Sequence, residues 1–95
     1  MKNKYRIFET DRFRKDLRLI ARGRSEQIGE KLRSFAYPLL REEPRFGPNI
    51  KRLRGFDPSV WRYRIADWRF FYSIDDEKKL VSMLAADHRR QAYRR

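Results

Sequence analysis

Cysteine is absent from this chain, histidine occurs once, and glycine and proline occur four times each. Without cysteine there are no disulfides and no thiolate metal ligands, so a reducing cytoplasm is the natural setting. His88, with no carboxylate pair at helical spacing beside it, does not make a metal site, and no metal or other cofactor is expected. The few glycines form no phosphate-cradling loop followed by Lys-Ser/Thr. Neither a Ser-His-Asp pattern nor a carboxylate pair suited to glycoside chemistry is present, and no small-molecule substrate is expected. No apolar run approaches the length that spans a bilayer, and the opening MKNKYRIFET lacks the apolar segment of a signal peptide.

What the chain does have is positive charge. Its 95 residues carry 25 Lys and Arg against 13 Asp and Glu, a net +12. Such an excess favours a polyanionic partner: nucleic acid, an acidic protein or an anionic membrane. The membrane is the weakest of these, because the basic residues are spread over helices and strands and not gathered on one amphipathic helix. Apolar residues at 40%, with aromatics at 15%, suffice for one core, so residues 1–95 read as a single domain.

Along the chain, KYRIFE reads as a strand with Tyr5, Ile7 and Glu9 on one side and Arg6 and Phe8 on the other. Thr10 or Asp11 caps a helix in which Phe13, Leu17 and Ile20/Ala21 recur at helical spacing, and Gly23 stops it. Ser25 caps a second helix with Ile28, Leu32, Phe35/Ala36 and Leu39 as its apolar stripe, and Pro38 disturbs its last turn. REEPRFGPNI is a loop. KRLRG follows, then two strands in VWRYRIADWRFFY with a bend at Ala66-Asp67, a turn at DDEK, and LVSMLAA as the last strand. The tail DHRRQAYRR is left as extended or a short helix. The expected fold is α+β in the order β-α-α-β-β-β. The consecutive strands pair antiparallel, the first strand runs parallel to a neighbour, and both helices cover one face.

Strand alternation places Trp61, Tyr63 and Ile65 on one side and Arg62 and Arg64 on the other. Beyond the bend, Phe70, Tyr72 and Ile74 alternate with Arg69, Phe71 and Ser73. If the apolar sets face the core, three guanidiniums stand on the open face. Arginine grips phosphate bidentately and stays charged, so it suits stabilisation of a phosphoryl group and not proton abstraction. RNA brings its own nucleophile, the ribose 2′-hydroxyl, and a protein need only position it, neutralise charge and move protons. His88 and Tyr93 are the candidates for the proton, and Phe71 for stacking on an unpaired base. Lys51, Arg52 and Arg54 widen the basic surface. The plainer alternatives are a solubilising sheet face, a surface histidine and a tail-anchoring tyrosine.

KRLRG, the VWRYRIADWRFFYSID hairpin and DHRRQAYRR, in that order, resemble the RelE branch of the RelE/ParE toxin superfamily. Its members carry KLKG, YRLRVGDYRVIYEID and GHRREVYR elements. The resemblance implies a small α/β domain whose first strand is parallel to its last. It also implies metal-independent cleavage of mRNA in the ribosomal A site by 2′-hydroxyl attack, and inhibition by a cognate antitoxin. Carried over by position, the site falls on Arg62, Arg64, Arg69, His88, Arg89 and Tyr93, with Arg90 and Arg94 adding to RNA contact. Ala66 stands where the family usually has glycine, and Asp87 stands where glycine precedes the histidine. The leading expectation is an mRNA endoribonuclease toxin acting on the ribosome. A ParE-like toxin that binds and poisons DNA gyrase without nuclease activity is the alternative, and a non-catalytic RNA-binding module is the third reading.

Overall fold

A computed structural model describes residues 4–22 and 26–88. Strand β1 (Arg6–Glu9) leads into helix α1 (Asp11–Arg22). Thr10 is its cap, its Oγ1 accepting the Phe13 N–H at 3.1 Å. The Gly23 stop and the Ser25 cap lie outside the described residues. Helix α2 (Glu26–Lys31), a π-helical turn (Leu32–Ala36) and α3 (Tyr37–Glu42) form one continuous stretch. Four strands follow: β2 (Ile50–Leu53), β3 (Val60–Ile65), β4 (Trp68–Asp75) and β5 (Leu80–His88). KRLRG thus supplies most of a strand beyond the three expected after the helices, and it lies at the edge of the sheet. The sheet order is β1-β5-β4-β3-β2, with β1 parallel to β5 and every other pair antiparallel.

The π turn corrects the expected apolar stripe. Pro38 has no N–H to donate to the Ser34 carbonyl, and its ring crowds that carbonyl in a regular helix. The chain widens there, and Tyr37 N–H bonds the Leu32 carbonyl five residues back. One extra residue per turn rotates everything after it. Leu32, Ala36, Tyr37 and Leu40 are buried, whereas Phe35 and Leu39 are 61% and 50% exposed.

The helices meet one face of the sheet. Phe13 and Leu17 of α1 join Leu32, Ala36, Tyr37 and Leu40 over Tyr63, Phe70, Tyr72, Val81 and Met83. Phe13 and Phe70 are tilted at 60°, with centroids 6.2 Å apart. The Tyr72 hydroxyl, deep in this core, donates to the Pro44 carbonyl at 2.7 Å, so its polar end is satisfied. The inward set on β3 and β4 follows the alternation expected from the sequence.

The bend between β3 and β4 holds Ala66 at φ 53°. A two-residue hairpin needs this left-handed backbone, and a Cβ there costs roughly 1–2 kcal/mol. Ala66→Gly is therefore expected to stabilise the chain by about 0.5–1 kcal/mol, after the larger entropy lost by glycine on folding is deducted. A rise in the urea midpoint with an unchanged slope is the readout.

Candidate functional site

On the face away from the helices, the strand registers set side chains in rows. Lys51 on β2 is opposite Arg62 on β3, and Arg62 is opposite Phe71 on β4, which is opposite Ala85 on β5. In the next row Arg64 opposes Arg69, and Arg69 opposes Asp87. Directly opposed residues hold their Cβ atoms about 4.5–5.5 Å apart, and diagonal ones are still within reach of long side chains. Arg62, Arg64, Arg69, Lys51 and Phe71 therefore form one patch. Like charges so placed repel, and an anion seated among them relieves that repulsion.

Arg62 is central to the patch. It is half-buried, and its Nε has no hydrogen-bond partner among the described residues. Burial first, then the charges of Arg69 and Arg64, pull its guanidinium below its ordinary pKa. It stays a cation at neutral pH all the same. A desolvated guanidinium with an unmet donor, beside two further guanidiniums, is electrostatically set to receive a phosphate or carboxylate. Arg64 is more exposed, and its Nε donates to the Ala66 carbonyl at 3.1 Å, tying it over the bend.

His88 is not brought to this patch. It pairs with Trp68, which shares its side of β4 with Phe70 and Tyr72, and the two rings meet edge to face at 4.5 Å. The cause is a β-bulge. Phe71 pairs with Ala85 but Tyr72 with Met83, so Leu84 is an extra residue on β5. Strict alternation from Val81 and Met83 would send His88 to the arginine side; the bulge reverses the parity. Asp87 takes the place facing Arg69, and its Oδ1 accepts the His88 N–H at 2.8 Å. Helix α1 supports the irregular stretch. Asp16 Oδ2 accepts the Ala86 N–H at 3.0 Å, and Thr10 donates to the Leu84 carbonyl at 3.2 Å.

Of the remaining expected positions, Arg52 opposes Trp61 and so sits on the helix side, and Arg54 is exposed just beyond β2. Arg89, Arg90, Tyr93 and Arg94 lie outside the described residues. One open-face residue was not singled out from the sequence. Phe8, 53% exposed, stands on the same open face at the β1 edge, opposite Ser82. The alternation in KYRIFE already set it apart from Tyr5 and Ile7, but its relevance needed β1 placed beside β5. Among the described residues no three His, Cys, Asp or Glu side chains group as metal ligands, and no helix is long and apolar enough to cross a membrane.

Comparison with known proteins supplies the relationship. Residues 7–93 match the family model of the ParE toxin of the type II toxin–antitoxin system parDE. No curated protein sequence matches. Among solved structures, the toxin–antitoxin complex RelBE2 from Mycobacterium tuberculosis is similar at 30% identity and TM-score 0.70, covering 90% of this chain and 98% of that one. The E. coli toxin RelE, a mutant in the free state, shares the fold at 24% identity and TM-score 0.66, covering 98% and 90%. So does the archaeal RelE–RelB complex from Pyrococcus horikoshii, at 22% identity and TM-score 0.65, covering 90% and 96%. With nearly its whole length matched, the chain belongs to the ParE toxin family of type II toxin–antitoxin systems, within the RelE/ParE superfamily.

Proposed function

We propose that this toxin is a metal-independent endoribonuclease that cleaves mRNA in the ribosomal A site and is neutralised by a cognate antitoxin. The observation that carries the reading is the half-buried Arg62 Nε, without a hydrogen-bond partner among the described residues, within a patch of three strand arginines. In the proposed reaction the 2′-hydroxyl loses its proton as its oxygen attacks the adjacent phosphorus. The bond from phosphorus to the 5′-oxygen breaks, and that oxygen takes a proton. The products are a 2′,3′-cyclic phosphate and a 5′-hydroxyl. Arg62, Arg64 and Arg69 balance the charge that builds on the phosphoryl oxygens, and Arg89 assists the phosphate or the leaving group. Phe71 stacks on an unpaired base, while Lys51, Arg54, Arg90 and Arg94 hold the backbone. With the His88 ring on the helix side, Tyr93 is the residue proposed to move the proton. The apolar groove of Phe35, Leu39, Phe46 and Ile50 is the kind of surface a protein partner covers, in keeping with an antitoxin.

A second reading has one finding in its favour, the ParE family model itself. It makes the chain a gyrase poison without nuclease activity. One experiment separates the two. Purified toxin is added to a translating extract, and the 3′ ends of ribosome-bound message are mapped. Cuts within codons that vanish with Tyr93→Phe are expected. Intact message together with gyrase trapped on DNA would replace the nuclease with the poison.

A further inference from the structure

The bulge in β5 falls where the neighbouring strand ends. β1 pairs with β5 only as far as Glu9 opposite Met83, after which the chain turns into α1. Beyond Met83, polar groups on that edge of β5 are met by side chains of the turn and the helix. Thr10 donates to the Leu84 carbonyl at 3.2 Å while its Oγ1 caps α1, and Asp16 accepts the Ala86 N–H at 3.0 Å. Asp16 is 16% exposed; its other partner is Arg12 at 3.5 Å, a side chain 69% exposed. An ion pair that open contributes little. The bond to Ala86 is the stronger commitment of this carboxylate.

A bulge leaves one residue outside the ladder, so it persists where other groups meet the donors and acceptors it frees. Without Asp16 the Ala86 N–H loses its acceptor, and the regular register becomes the better pairing. Continuing from Tyr72 opposite Met83 in strict antiparallel order puts Leu84 opposite Phe71, Ala86 opposite Arg69 and Asp87 opposite Trp68. Arg69 would then face a methyl group in place of a carboxylate. In the bulged register it faces Asp87, whose Oδ1 is tied back to the His88 N–H at 2.8 Å.

Arg69 thus lies between Arg64 on β3 and Asp87 on β5. Opposed like charges repel and unlike charges attract, so both neighbours act on its guanidinium in one direction, toward β5. We infer that Asp16 is a positioning residue for the proposed cleavage. It holds the Leu84 bulge, the bulge keeps Asp87 opposite Arg69, and Asp87 sets the Arg69 fork at one side of the phosphate seat. This rests on the nuclease reading and adds to it a residue of α1, outside the arginine patch. A guanidinium already drawn away from Arg64 leaves room for the anion between them and loses less freedom when the anion binds.

Backbone NOEs of the full-length toxin read the β4–β5 register, and single-turnover cleavage on ribosomes loaded with message reads its consequence. Asp16→Ala is expected to move the cross-strand contact of Arg69 from Asp87 to Ala86 and to abolish the ring contact between His88 and Trp68. Its cleavage rate at saturating ribosome should fall about 10–100-fold, with half-saturation changed less than about threefold, as for a misplaced positioning group. Asp16→Asn keeps a carbonyl oxygen for Ala86, so it should hold the native register and most of the rate. Arg12→Gln removes the ion pair alone and is expected to change neither. Asp87→Asn keeps the register and an acceptor for His88 but not the charge, and its rate should fall about tenfold. That variant decides the matter by rate if thermal melts show Asp16→Ala unfolded. An unshifted register in Asp16→Ala, or full cleavage by Asp87→Asn, would overturn the inference and leave the nuclease reading standing. A wild-type toxin that cuts no message would sink the nuclease reading itself, and this role with it.

Discussion

Arg62→Met is expected to lower message cleavage by about 10²–10³-fold, the usual cost of removing one preorganised charge-stabilising group, and to leave the protein at least as stable as before. Most activity-destroying substitutions in a small domain are ambiguous, because they also loosen it. Here the signs separate. The Arg62 guanidinium is held in partial burial, its Nε has no partner among the described residues, and Arg69 and Arg64 both repel it. Methionine keeps much of the aliphatic stem that packs beside Phe71 and removes the charge. Relief of like-charge contacts across the strands is worth up to about 1 kcal/mol. Urea unfolding and 3′-end mapping on the same preparation give both quantities. Arg62→Lys, which retains charge but not the planar fork, should fall between the two proteins in cleavage. Full cleavage by Arg62→Met would remove this residue from the site. A loss of stability beyond about 1 kcal/mol would show that its stem, not its charge, is what the sheet uses.

The second large effect lies directly behind the same strand. Phe70→Ala is expected to cost about 3–5 kcal/mol, from lost transfer energy and the cavity that remains. Phe70 has no exposed surface, and it is the residue of β4 that meets Phe13 of α1. A domain of this size has roughly 5–14 kcal/mol of stability in all, so the substitution takes a large fraction of it. The urea midpoint should drop steeply with the slope little changed. Phe70→Leu should be far milder, because it keeps most of the volume. Phe70 also lies between Arg69 and Phe71 on β4. Cleavage by the surviving folded fraction should fall as well, since small misplacements of a positioning group are costly. Normal stability in Phe70→Ala would mean that α1 and β4 are held together by other contacts.

The periodic features were legible from the residues alone, because they follow from local geometry. A pleated backbone sends alternate side chains to opposite sides. VWRYRI and WRFFYSID therefore separate Tyr63, Phe70 and Tyr72 from Arg62, Arg64, Arg69 and Phe71 wherever the strands lie. Thr10 as a cap and the bend at Ala66-Asp67 belong to the same class. So does the parallel first strand, since two intervening helices give the chain room to return in that direction.

Other features depend on partners distant in sequence. Pro38 announced a disturbance but not a widened turn, and the widened turn is what exposes Phe35 and Leu39 and buries Tyr37. Nothing in LVSMLAADH marks Leu84 as the residue that breaks the alternation. The bulge is stabilised by Thr10 and Asp16, some seventy residues earlier, which bond the Leu84 carbonyl and the Ala86 amide. That one-residue slip carries His88 to the helix side and turns Asp87 towards Arg69. Composition and alternation thus established a cationic sheet face. Which titratable groups share that face was settled by long-range hydrogen bonding, because parity along a strand survives only as long as its pairing is unbroken.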